Sequence, residues 1–120
     1  MKRIATAALL AAGLAFQAAP AQAQRNGTYD VSGVNPDGTG YNGTLTLQQV
    51  GLASWRTAWQ IGQARIEGYA MSAGPVFSIG FVVGERPGIA IYQVGENGSL
   101  TGQWTLVGSN GIGTETLTPQ

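Results

Sequence analysis

The sequence predicts an all-β fold: a small eight-stranded antiparallel up-and-down barrel over residues 24–120, behind a leader over residues 1–23. Three observations predict it. Leu100, Gly102, Trp104 and Leu106 alternate with Thr101, Gln103 and Thr105, the period of two that marks a half-buried strand. The same template occupies Tyr41–Leu47 and, more weakly, Gly111–Leu117. Glycine-rich turns separate such runs about every ten to thirteen residues, and no helical periodicity follows residue 23.

The leader reads as a secretory signal. Met1-Lys2-Arg3 is a short positive start, Ile4 to Phe16 an Ala- and Leu-rich apolar run, and Ala21-Gln22-Ala23 a cleavage site. The run is shorter than the ~20 apolar residues that cross a bilayer, so the mature chain carries no integral membrane segment. Without any cysteine, there is neither a lipid-anchor site nor a disulfide. The protein is expected to be exported, periplasmic or secreted.

The strands follow in order. Thr28–Ser32 alternates and is the first. Asn35-Pro36-Asp37-Gly38 is a turn in which Pro presets φ, Asp caps its own backbone and Gly takes the left-handed position. The second strand is Tyr41–Val50. The third, Ser54–Ile61, puts Trp55, Thr57, Trp59 and Ile61 on one face. Gly62-Gln63 turns into the fourth, Ala64–Met71, with Ile66, Gly68 and Ala70 aligned. The fifth, Val76–Val83, turns Phe77, Ile79, Phe81 and Val83 inward. The sixth, Ile89–Val94, is apolar on both faces, so its register is weakly specified. Asn97-Gly98 signals a hairpin into the seventh, Ser99–Val107. Gly108–Gly111 leads to the eighth, Ile112–Leu117.

Short connections make neighbouring strands antiparallel. Eight of them in sequence order can close on themselves and remove both edges. Inward glycines at 43, 68, 102 and 113 suit the mixed large and small filling of a small barrel. A two-sheet β-sandwich is the alternative.

Composition narrows the function. Beyond residue 23 there are four arginines, no lysine and six acids, a net charge of −2. Such a surface does not attract nucleic acid or anionic lipid. There is no histidine, so the usual nucleophile–base pair cannot be built and no catalytic residue is assigned. No cofactor is implied. Asn35, Asp37 and Thr39 offer oxygens to Ca²⁺ but lack the further carboxylates such a loop needs, and turn chemistry accounts for them, so no metal site is assigned. The same turn chemistry accounts for three glycosylation-type sequons, at Asn26, Asn42 and Asn97.

Candidate ligand-binding residues lie on the inward faces: Tyr41, Trp55, Trp59, Phe77, Phe81 and Trp104. An aromatic-lined barrel mouth is a common small-ligand site, although large rings also serve simply as core. Glu115 completes the set. It is in line with Gly113 and Leu117, which points a carboxylate into the barrel. Paired with an Arg or a Tyr hydroxyl it would be structural; facing a ligand it would be functional.

The run Tyr29-x-Val31-x-Gly33-x-Asn35-Pro36-Asp37-Gly38, with Tyr41-x-Gly43-x-Leu45, Trp59-x-Ile61-Gly62, Gly88-Ile89-Ala90-x-Tyr92, Gly102-x-Trp104-Thr105 and Gly113-Thr114-Glu115-x-Leu117, resembles a family of small exported bacterial proteins. Its members often carry the label "fibronectin-binding protein". The resemblance covers nearly all of residues 24–120 and implies an adhesin-like partner such as fibronectin or another matrix protein. The alternation of Gly with Leu and Trp is also similar to avidin- and lipocalin-type barrels, without the long polar complement of a biotin site. The expected function is therefore a non-enzymatic binding module for an extracellular protein or a small apolar ligand. An inhibitor of an exported protease, working through a loop such as 84–88, is a further alternative, and a small hydrolase or isomerase using the acids the least favoured.

Overall fold

The computed structural model describes residues 24–120; the expected signal peptide lies outside the described residues. Eight strands follow one another: β1 (Gly27–Val34), β2 (Gly40–Gln49), β3 (Ser54–Ile61), β4 (Ala64–Ala73), β5 (Val76–Val83), β6 (Arg86–Val94), β7 (Leu100–Leu106) and β8 (Gly113–Pro119). Each pairs antiparallel with the next, and β8 pairs with β1 from Thr114↔Val34 to Pro119↔Tyr29. That last ladder closes the barrel and excludes the sandwich. Closure satisfies the backbone donors and acceptors that two sheet edges would have left open.

Alternation carries through to burial. On β8, Gly113, Glu115 and Leu117 are buried while Thr114, Thr116 and Thr118 are exposed. The β1–β2 turn forms as its residue types dictate. Gly38 has a φ of 93°. Its N–H donates to the Asn35 carbonyl at 2.8 Å. Asp37 Oδ1 accepts from the Thr39 N–H at 3.0 Å and the Thr39 hydroxyl at 2.7 Å.

β6 is where a hydrophobicity reading of the sequence is least informative. Gly88, Ala90 and Tyr92 point inward, and the larger Ile89 and Ile91 point to solvent. The interior has no room for the isoleucines, because rings from the adjoining strands already cover this wall. Phe81 lies over Gly88, and Ala90 is directly opposite both Ile79 and Trp104.

The two ends of the barrel differ. One end, near the β2–β3, β4–β5 and β6–β7 turns, is packed. Trp55 and Phe77 meet there edge to face, with ring centroids 5.7 Å apart, and the Trp55 N–H donates to Ser72 Oγ at 3.1 Å. Leu47, Leu100 and Leu117 are fully buried around them. The Tyr29 hydroxyl donates to the Arg25 carbonyl and accepts from its N–H, both at 2.9 Å. This anchors the residues before β1 over the floor. The other end, under the β1–β2, β3–β4, β5–β6 and β7–β8 connections, is open.

Candidate functional site in the barrel mouth

At the open end lies a cavity of about 290 Å³, walled by Tyr41, Trp59, Ile66, Phe81, Trp104 and Glu115 and rimmed by Asn35, Ile61, Ala64, Val83 and Leu106. The volume is at the small end of the roughly 300–1,000 Å³ usual for small-molecule sites.

One row of residues builds its polar centre. Across five adjacent strands the register places Tyr41 on β2 opposite Gly33 on β1, Gly33 opposite Glu115 on β8, Glu115 opposite Gly102 on β7, and Gly102 opposite Tyr92 on β6. The sequence of the row is Tyr–Gly–Glu–Gly–Tyr. Directly opposed residues on one face of a sheet compete for the same space. With glycine on either side, Glu115 has room, and both tyrosines bend in over the glycines. A Cβ on Gly33 would fall within the Tyr41 ring, and one on Gly102 would meet Tyr92 and the Ile91 carbonyl.

The result is a carboxylate that is 4% exposed and surrounded by donors. Tyr92 donates to Glu115 Oε1 at 3.0 Å and the Trp59 indole N–H donates to Oε2 at 2.7 Å. Tyr41 stands on the third side, near both Glu115 and Trp104, without closing a bond of good geometry to either. Burial pushes the Glu115 carboxyl above its ordinary value, while the hydrogen bonds from Trp59 and Tyr92, and to a lesser degree the nearby Tyr41 hydroxyl, oppose that rise by favouring the charged form. Both tyrosines are pushed well above the usual phenol range, first by burial and then by the Glu115 charge. They stay protonated and available as donors.

The aromatic wall repeats the glycine device. Trp104 lies over Gly113 directly opposite on β8, and Phe81 over Gly88 directly opposite on β6. A ring folded against a neighbouring glycine covers the wall instead of crossing the lumen, which keeps the mouth open. Trp59 and Phe81 meet edge to face at 5.2 Å, and Tyr41 and Trp104 at 6.4 Å, each pair inclined at 67°. The Trp104 N–H is buried without a hydrogen-bond partner.

Of the seven residues singled out in the sequence, five converge here: Tyr41, Trp59, Phe81, Trp104 and Glu115. Trp55 and Phe77 face the interior as well, but they belong to the packed floor and do not reach the mouth. Tyr92 is the residue sequence reasoning missed. The clue was available in the inward glycine at 102, which requires something bulky on an adjoining strand to fill its place. Among the described residues no three His, Cys, Asp or Glu side chains cluster as metal ligands.

No protein-family model matches the chain, and no curated protein matches it. Among solved structures it is similar to a redesigned β-barrel, with a TM-score of 0.69 at 17% identity over 85% of this chain and 95% of that one. It is also similar to a redesigned barrel, mFAP1, bound to DFHBI, with a TM-score of 0.66 at 19% identity over 84% and 97% of the two chains. A de novo designed fluorescence-activating β-barrel gives a TM-score of 0.61 at 17% identity over 80% and 94%. The likeness is one of fold.

Proposed function

We propose that the protein is a non-enzymatic binding module that holds a small, largely apolar ligand in the open end of its barrel. The observation that carries this reading is the contrast between the ends: the floor is occupied by buried Leu47, Trp55, Phe77, Leu100 and Leu117, while the mouth keeps a cavity of about 290 Å³ lined by rings. A structure built only for stability would have filled that space, because voids forfeit packing. The Trp104 N–H supplies an unclaimed donor and Glu115 an acceptor, the few convergent polar groups that orient a ligand in an apolar pocket. A redesigned barrel of the same fold, mFAP1, is bound to DFHBI, which supports a small molecule as occupant of this architecture. The leader over residues 1–23 supports export, so the ligand is one met outside the cytoplasm.

The test is titration with a neutral lipophilic fluorophore, N-phenyl-1-naphthylamine. Saturable one-to-one binding is expected, lost when Ala64→Trp and Ile66→Trp narrow the mouth. Absence of saturable binding, or binding indifferent to both substitutions, overturns the reading.

A protein partner, as the fibronectin-binding resemblance implies, would use another surface. The outer wall of β4–β6 exposes Tyr69, Met71, Val82, Ile89 and Ile91, with Tyr69 and Ile89 flanking Gly80 and Met71 and Ile91 flanking Ser78. Contiguous exposed apolar area of this kind is what protein partners cover. Fibronectin affinity that survives physiological salt and falls in Tyr69→Ser and Ile89→Thr supports this second reading; no affinity removes it.

A further inference from the structure

We propose that the ligand of the mouth is a small organic cation, an apolar ammonium whose charge sits between Glu115 and the faces of Trp59, Trp104, Tyr41 and Phe81. This rests on the reading of the mouth as a ligand site and adds the ligand's charge.

The first ground is an uncompensated charge. Glu115 is buried, and Trp59 and Tyr92 donate to its two oxygens. An indole N–H can only donate, so Oε2 acts as an acceptor for Trp59; with the Tyr92 hydroxyl on Oε1, both oxygens are met by donors, and donors to a carboxylate favour its charged form. Yet no cationic side chain among the described residues answers it. The one salt bridge among the described residues joins Arg65 to Glu67 on the outer wall. Arg25 is at the floor beside Tyr29, and Arg56 and Arg86 are exposed. Buried charges are as a rule paired, and the described chain offers this one only dipoles. A carboxylate has about four acceptor directions, so two donors leave capacity for a third partner from the cavity that Glu115 lines.

The second ground is independent of Glu115. Four aromatic rings border a space of about 290 Å³, and three of them, Tyr41, Phe81 and Trp104, lie folded over the glycines opposite them, an arrangement that turns ring faces toward the lumen. The negative face of a ring attracts a cation, and cages of such rings are the recognised means of holding quaternary and other organic ammonium groups. The glycines opposite Tyr41, Phe81 and Trp104 set these rings against the wall. A metal ion does not fit the same lining, since a single carboxylate among apolar groups supplies too few oxygens. An anion would meet the Glu115 charge at close range.

The groups facing Glu115 from the strands around it are Tyr41 on β2, Trp59 on β3 and Tyr92 on β6; glycines 33 and 102 flank it on β1 and β7. Both tyrosines stay protonated through the neutral range. The mouth loops carry Asp37, Glu85 and, at the start of β6, Arg86, all exposed. Glu115 is therefore the acid whose ionisation governs the cavity, and cation affinity rises with pH as it loses its proton.

The test compares benzyltrimethylammonium, whose charge does not titrate, with its neutral carbon isostere neopentylbenzene and with phenylacetate, by tryptophan fluorescence and calorimetry on the full mature chain. The expected result at about pH 8 is a preference for the cation over the isostere of at least about tenfold, equivalent to 1.4 kcal/mol, with phenylacetate weakest. The preference shrinks toward pH 4, where a carboxyl is protonated, and it is lost in Glu115→Gln while the isostere still binds. The pH series on the unaltered protein decides the matter even if that variant does not fold. Equal binding of isostere and cation, or a cation preference that persists in Glu115→Gln, overturns the cation assignment and leaves the apolar-ligand reading standing. No binding by any probe overturns both.

Discussion

Tyr92 donates its hydroxyl proton to Glu115 across an intervening strand, at 3.0 Å, because Gly102 between them has no side chain. Trp59 reaches the same carboxyl at 2.7 Å from the other side, across two intervening strands. The carboxyl thus ties together strands that share no ladder. It holds the mouth in shape by hydrogen bonds where the floor is held by packing. A buried acceptor of this kind is costly to remove once its donors are fixed, because they cannot find water instead.

Truncation and neutralisation of Glu115 should therefore differ. Glu115→Ala leaves a buried indole N–H and a buried hydroxyl without an acceptor, at about 1–3 kcal/mol each. A loss of roughly 2–4 kcal/mol is expected, lowering Tm by about 10–20 °C for a domain of this size. Glu115→Gln retains an acceptor for Trp59 and offers an amide N–H to the Tyr92 oxygen, so it should fall within about 1 kcal/mol of the parent. Thermal unfolding followed by circular dichroism distinguishes the two. Equal Tm values for parent and Glu115→Ala would show that the bonds contribute nothing to stability.

The acid also sets a pH dependence. Burial holds its folded-state value above the ordinary one. In the window above the ordinary value the folded protein then binds more protons than the unfolded chain, and stability falls as pH rises. Below that window both states are protonated and the cost is absent. Tm is expected to decline as pH rises above the ordinary carboxyl value of 4.5 toward neutrality, and the decline to flatten in Glu115→Gln. A rise in Tm over the same range that is identical in both proteins would place the titration elsewhere.

Two glycines on opposite faces of the barrel wall should respond in opposite ways to alanine. At Gly102 the new methyl would collide with the Ile91 carbonyl, which is backbone and cannot step aside, and with the Tyr92 ring. A cost of about 3 kcal/mol or more is expected, in the range of severe overpacking. Gly80 points outward, has nothing near it, and lies outside the left-handed region. Gly80→Ala should be neutral or stabilising by up to about 1 kcal/mol, through the unfolded chain. Chemical denaturation of both variants gives the comparison.

The three tryptophans divide between the ends, which makes them separate reporters. Trp59 and Trp104 line the cavity, and Trp55 packs on Phe77 at the floor. Ligand-dependent emission changes should persist in Trp55→Phe and shrink in Trp104→Phe. A ligand signal that vanishes only with Trp55→Phe would move the site to the floor.

How much of this was legible in the sequence depends on the length scale of each feature. β3 and β5 were legible to the residue, because each is a clean alternation between strong turns. β6 was not: both faces are apolar, and only the rings of β5 and β7 decide that Tyr92 goes in and Ile89 goes out. Glu115 was legible as inward from its own strand, since Gly113 and Leu117 share its face. That Trp59 and Tyr92 would bond to it was not, for they lie 56 and 23 residues away.

The sequence by itself determined the strands, the all-β class and the faces of every strand but β6, because alternation is a local property that each such strand carries alone. The tertiary structure alone decided which inward residues share an end of the barrel: Trp55 and Trp59 stand on one face of one strand, yet one seals the floor and the other binds the carboxyl at the mouth. Depth along the axis follows from the register of all eight ladders together, and no single strand encodes it.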